Sequence, residues 1–384
     1  MNEKLAWLLA VILGGVFLLP MAFDVLLGIA LLAVLIQYSE LHAPVLRVLK
    51  DPLYLCALAL LLYLSASVLW SANISPKGVA QLWLRMLFVM VFVLGLAVAH
   101  QRTSITLLRA CQVVAIAALL CALLSLILFY MYPPADSRLE GPFRLENPGR
   151  IGRMLAVALL FAITLFQLER GRWRWLAALS FVVCSMALIN TGTRSAWLAA
   201  VFGIFCWLLV SWHPKLNKAV AVAGVGSVLL ALLLYVMTYH PELSAQLFPR
   251  GDSFRMSIWQ ANLRDILDGH VWFGWGQLVE HRVEMGGYLF RGTHNMFLAM
   301  LAAGGLPALV MFCVVLGWTG LRLVRHAGGA AATLGLVLLI AGVAGFLFNG
   351  DRIIDKVNFV WFVVWVPLGF AIGLSQQSTL DDSN

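Results

Sequence analysis

Apolar runs of about 20 residues recur along almost the whole chain, and a run of that length is what an α-helix needs to cross a bilayer. We place them near 5–20, 22–38, 53–70, 79–99, 106–131, 151–168, 174–190, 195–212, 217–237, 296–321, 331–349 and 357–375. The runs lack strand-like alternation, and backbone polar groups in lipid must be satisfied within the segment, so the spans are helical. The expected fold is all-α: a polytopic membrane protein with about 12 transmembrane helices and one large outer loop. Composition agrees. Of 384 residues, 62% are hydrophobic and 11% charged, against roughly 25% charged in a soluble domain. The chain divides into an N-terminal transmembrane bundle over 1–237, a large polar loop over 238–295, and C-terminal transmembrane helices over 296–384. A formal net charge of +8 on so apolar a chain points to membrane lipid or an anionic lipid-linked substrate rather than nucleic acid. The six cysteines all fall inside apolar runs, which leaves neither a disulfide framework nor a metal-ligand spacing. Lys4 precedes an apolar run to Leu19 without a small-residue cleavage site, so the first segment reads as a retained helix and not a signal peptide.

Twelve spans put both termini on one side, and the positive-inside rule makes that side cytoplasmic. Lys4, Arg47, Lys50, Arg102, Arg109, Arg170, Arg172, Arg174, Lys215, Lys218, Arg322 and Arg325 all fall on its connections. The outer connections should then be poor in arginine, and they are not. Arg138, Arg144, Arg150 and Arg153 crowd one of them, Arg194 stands alone in the turn Asn190-Thr-Gly-Thr-Arg-Ser195, and the large loop adds Arg250, Arg255, Arg264, Arg282 and Arg291. Pairing with loop carboxylates such as Glu140 and Glu146, or contact with lipid headgroups, accounts for any one of these. It accounts less well for the set.

The large loop has its own pattern. Ser253 suits an N-cap, Phe254 to Asp268 follow, and Gly269 stops the helix. Phe254, Ile258, Trp259, Asn262, Leu263, Ile266 and Leu267 share one side at helical spacing, so an amphipathic helix lies on the membrane domain. Next comes the aromatic, glycine-rich turn Trp272-Phe-Gly-Trp-Gly276, with interfacial anchoring and contact with a sugar or lipid as its two readings. The loop closes on Arg291-Gly-Thr-His-Asn295, where the next apolar run begins. His294 sits at the outer end of that span. It is either a helix-start hydrogen-bonding residue or a general base, the one side chain whose ordinary pKa of about 6.5 suits that task.

The spans hold almost no ionisable residues at mid-depth, with Asp24 and Arg85 toward the outer ends of theirs. That weighs against an ion-coupled transporter. A small-anion transporter using the arginines as a filter stays as the alternative of another class. The outer face has no Asp-x-Asp pair and no His-Glu-x-x-His, and the chain has no Gly-x-Ser-x-Gly and no Walker loop, so the chemistry calls for neither metal nor nucleotide, and no cofactor. Arginines bind phosphate oxygens bidentately. Outer arginines plus one base therefore suit a reaction whose leaving group is a lipid-linked pyrophosphate. Each well-placed cation can contribute roughly 3 kcal/mol to the transition state, and the base about 10²–10⁴-fold.

Gly-Thr-Arg-Ser-Ala-Trp (192–197), Arg255 with Trp259, Phe-Gly-Trp-Gly (273–276) and His-Asn-Met-Phe-Leu (294–298) before Gly304-Gly305-Leu306 together resemble the O-antigen ligase/polymerase superfamily of undecaprenyl-pyrophosphate-dependent glycosyltransferases. The order, the spacing and the single large outer loop are similar over nearly the whole chain, and length and loop pattern fit the ligase branch. The resemblance implies a bacterial inner-membrane enzyme with a periplasmic site. Its implied donor is undecaprenyl-pyrophosphate-linked O-antigen and its acceptor lipid A–core. The polymerase and protein-directed branches are alternatives that differ in acceptor. It implies that Arg194 and Arg255 bind the pyrophosphate, that His294 is the base on the acceptor hydroxyl, and that Asn295 orients or binds. Arg291, Arg144 and Arg138 are possible supporting residues. Gly141, Phe143, Asn147 and Pro148 resemble a further family loop, with Gly149 where an asparagine is expected.

Overall fold

The computed structural model describes residues 2–72, 74–212, 255–279, 282–285, 288–326, 328–350 and 352–381. The expected span 217–237 and the expected cap Ser253 lie outside those residues. The chain runs through α1 (Asn2–Leu18), α2 (Ala22–Gln37), α3 (His42–Leu49), α4 (Pro52–Ala66), α5 (Pro76–Arg102), α6 (Ile105–Met131), α7 (Pro148–Leu168), α8 (Arg172–Asn190) and α9 (Arg194–Trp212). Then come α10 (Arg255–Leu267) and a hairpin of β1 (Arg282–Met285) and β2 (Tyr288–Arg291). The chain returns to the bundle as α11 (Met296–Arg325), α12 (Ala330–Phe346) and α13 (Val366–Asp381), the last entered through a π-helical turn at Trp361–Trp365. The protein is an all-α polytopic membrane protein. Among the described residues, seven helices are long and apolar enough to cross a membrane, or eight if α2 and the segment Ser39–Leu49, bent by 88°, form one span.

Several helix starts follow one local rule. Asp51, Ser75 and Asn147 each cap the helix that begins with the next residue, a proline. The side-chain oxygen takes an orphan N–H, and proline fills the position whose N–H has no partner anyway. Helix–helix packing is close: α1 lies on α6, α7 on α8 and α9, α13 on α5, α11 on α4, and α12 on α9. The C-terminal helices are thus interleaved with the N-terminal ones. The π-helical turn sets Trp361 between Phe88 and Phe92, with both ring centroids 4.9 Å away.

One junction fixes the large loop to this bundle. α11 breaks at Gly305 (φ 69, ψ −165) and continues through Pro307. In an unbroken helix Leu306 N would donate to Ala302 O. Here Leu306 N donates to Val271 O (2.7 Å) and Ala302 O accepts from Trp275 N (2.7 Å). The kink exchanges one helical bond for two that clamp the aromatic turn. Trp70 Nε1 and the Gln277 backbone N–H add bonds of 2.9 Å to Phe273 O and Ser67 Oγ. A Cβ on Gly274 would collide with the Ala302 carbonyl, and one on Gly305 with the Trp272 carbonyl. The turn's glycines thus allow backbone-to-backbone contact, while Trp272 and Phe273 stay exposed, as interfacial anchors do. Gly305→Ala is expected to lower stability by about 1–3 kcal/mol from backbone strain alone. Thermal unfolding in detergent checks this against Gly317→Ala on the same helix, where a Cβ meets nothing within 4 Å and the transition should hold.

Candidate active site

The loops at one end of the bundle enclose a cavity of about 480 Å³, within the size range of small-molecule sites. Its wall is built from distant parts of the chain: the first turn of α7, the aromatic turn, the 291–293 segment before α11, and the connection between α12 and the π-helical turn. Arg144, Arg150, Arg153, Arg291, Arg352 and Lys356 line it, against the single carboxylate of Asp355. That carboxylate is already engaged, with Arg85 at 3.2 Å and Asn358 Nδ2 at 2.9 Å. Arg150 and Arg352 are exposed and make no ion pair among the described residues. Burial pushes the Lys356 ammonium below its usual range; Asp355 pulls the other way, and Arg150, Arg85 and Arg144 reinforce the lowering. Arg150 also occupies the first turn of α7, where the helix dipole already favours negative charge, and Arg153 follows in the second. That excess of positive charge suits an anion.

Arg144 is the exception among these cations. It is 5% exposed and makes a bidentate pair with Asp24, both bonds at 2.9 Å. Its remaining donors reach Leu19 O, Pro20 O and Val357 O. The side chain therefore pins the α1–α2 connection and the 357 backbone to the loop before α7. Arg138 is also a brace: its Nε donates to Thr191 O (2.9 Å) and its NH2 to Thr193 Oγ1 (3.0 Å). It holds the turn from which Arg194 opens α9.

None of Arg194, Arg255 and His294 lines the cavity itself; each stands next to part of its wall. Arg194 follows Thr193, whose hydroxyl donates to Pro148 O (3.0 Å), two residues from Arg150. Arg255 begins α10, one turn before Trp259, which packs on Phe348 at 6.4 Å beside the lining residue Asn349. His294 follows the lining residue Thr293 and is held at φ 51, a left-handed conformation that side chains other than glycine rarely adopt. Asn295 caps α11: its Oδ1 accepts from Phe297 N and Leu298 N, and its Nδ2 donates to Leu347 O. Arg291 lines the cavity and stands directly opposite Arg282 in the hairpin, concentrating positive charge at its open end. Arg352, Asp355 and Lys356 escaped notice in the sequence. The signal was there: the connection between spans 331–349 and 357–375 carries these charges, on the same face as the large loop by helix count.

A family model described as O-antigen ligase matches residues 179–313. An O-antigen ligase from Pseudomonas aeruginosa (strain PAO1) is 27% identical over 356 residues, covering 91% of this chain and 85% of the relative. The chain resembles the O-antigen ligase family. The stretch matched by the O-antigen ligase model runs from α8 into α11 and takes in Arg194, Arg255 and His294. The opposite wall, with Arg150, Arg153, Arg352 and Lys356, lies outside it.

Proposed function

We propose that the protein is an O-antigen ligase of the bacterial inner membrane, moving O-antigen polysaccharide from undecaprenyl pyrophosphate to lipid A–core on the periplasmic face. The observation that carries this reading is the cavity, where five cations besides the saturated Arg144 face one engaged carboxylate. A pyrophosphate leaving as the anomeric bond breaks needs charge stabilisation, and guanidinium forks supply it without a proton. Arg150, Arg153, Arg291 and Arg352 hold the pyrophosphate, and Arg194 and Arg255 close on it from the adjoining segments. His294 takes the proton from an acceptor hydroxyl. The hydroxyl oxygen attacks the anomeric carbon as the bond to pyrophosphate breaks, and undecaprenyl pyrophosphate leaves with the electron pair. One displacement without a protein nucleophile inverts the anomeric centre, and no step calls for a metal.

The test is reconstitution. Purified protein given undecaprenyl-pyrophosphate-linked O-antigen and lipid A–core should yield capped lipid A–core; donor chains that only grow longer would make it a polymerase instead. Arg194→Lys should lose roughly tenfold or more in rate, because a point charge does not reproduce the bidentate fork. Full activity in that variant would remove Arg194 from the pyrophosphate site.

A further inference from the structure

Gln277 lines the same cavity and is 4% exposed. Neither its Nε2 nor its Oε1 has a hydrogen-bond partner among the described residues. A buried carboxamide left wholly unsatisfied is rare and costly, and it lies beside a wall that already has the cations for a phosphate. Its backbone is fixed by the bond to Ser67 Oγ and by the clamp of the aromatic turn on α11, so the side chain starts from a rigid base.

We infer that Gln277 binds a pair of neighbouring hydroxyls on a saccharide ring held in this cavity, and so helps to set which sugar the site accepts. The inference rests on the ligase reading and adds a sugar-recognising residue to it. The chemistry of the orphaned group makes the choice. A phosphate offers only acceptors: it satisfies Nε2 and sets its lone pairs against Oε1. A prenyl chain satisfies neither atom. A hydroxyl is donor and acceptor at once, so two adjacent hydroxyls take the Nε2 hydrogen and give one to Oε1. The donor's first sugar and the acceptor sugar of the core are the two candidate sources of such a pair, and the test separates them.

The test uses the full-length protein in the ligation assay, with donor and acceptor titrated separately, wild type against Gln277→Leu. Leucine removes both polar atoms and keeps a similar volume. We expect KM to rise roughly tenfold or more for one substrate, as for a site that loses a hydroxyl-binding pair. A rise for the donor assigns its first sugar; a rise for lipid A–core assigns the acceptor sugar. Inhibition by undecaprenyl pyrophosphate, which carries no sugar, should not change. The unfolding temperature should hold or rise, since an unsatisfied polar group is replaced by an apolar one. Unchanged KM for both substrates would overturn the inference. So would a lower unfolding temperature with weaker undecaprenyl pyrophosphate inhibition, which would make Gln277 a structural residue. A wild-type protein that ligates nothing overturns the ligase reading and this inference with it. An active wild type with an indifferent Gln277→Leu overturns this inference alone.

Discussion

His294→Gly protein should fold as the wild type does and lose ligation by roughly 10²–10⁴-fold, the usual contribution of a positioned general base. The choice of glycine follows from the backbone. His294 sits at φ 51, where a Cβ is disfavoured by about 1–2 kcal/mol. Glycine takes that conformation freely and loses more chain entropy on folding, so the two effects offset to within about 1 kcal/mol. His294→Ala keeps the backbone cost and should be no more active. A stable His294→Gly protein that still ligates at the wild-type rate would remove the base from the mechanism and leave the histidine as a turn residue. The neighbouring Asn295 should not behave alike, because its carboxamide is spent on capping α11 and on Leu347 O.

Arg144→Met is expected to destabilise the protein by about 3–5 kcal/mol, read as a fall in the detergent unfolding transition. It strands Asp24, which is 8% exposed, as a buried charge without its partner. It also leaves Leu19 O and Pro20 O without the guanidinium that now bonds them. Adding Asp24→Leu should recover most of the loss, since removing a whole buried pair costs far less than breaking it. An Arg144→Met protein of normal stability that fails to bind donor would reverse this assignment and make Arg144 a substrate ligand.

Much of this architecture is legible in the sequence because lipid imposes so few solutions. Apolar runs of spanning length and the cap-and-proline starts at Asp51-Pro52, Ser75-Pro76 and Asn147-Pro148 follow from local chemistry, whereas the family resemblance is what joins Arg194, Arg255 and His294 into one set. The apolar face of α10 was read too broadly: Ile258, Asn262 and Ile266 are buried, whereas Leu263 and Leu267 are exposed. Strands of four residues such as β1 and β2 are too short for alternation to announce them. The cavity was the least legible part. Its wall joins the α7 start to the α12 connection about 200 residues later, a meeting set by helix packing and by the Arg144–Asp24 brace, not by any local pattern. The same long-range fact separates arginines of similar sequence context. Arg144 is saturated by protein acceptors, while Arg150, six residues on, lines the cavity without an ion pair among the described residues.

If this cavity holds the pyrophosphate of the lipid-linked donor, removing its exposed cations weakens donor binding. The most direct test is binding of undecaprenyl pyrophosphate to purified protein in detergent, wild type against Arg150→Gln/Arg352→Gln, with undecaprenyl monophosphate as the second ligand. Both substitutions remove exposed cations without ion pairs among the described residues, so the fold should be unaffected. Wild type should prefer the pyrophosphate, and the double variant should bind it roughly tenfold or more weakly, with charge-assisted hydrogen bonds contributing about 1.5–3 kcal/mol each. Equal affinity in the two proteins, or no preference for pyrophosphate over monophosphate, would contradict the claim.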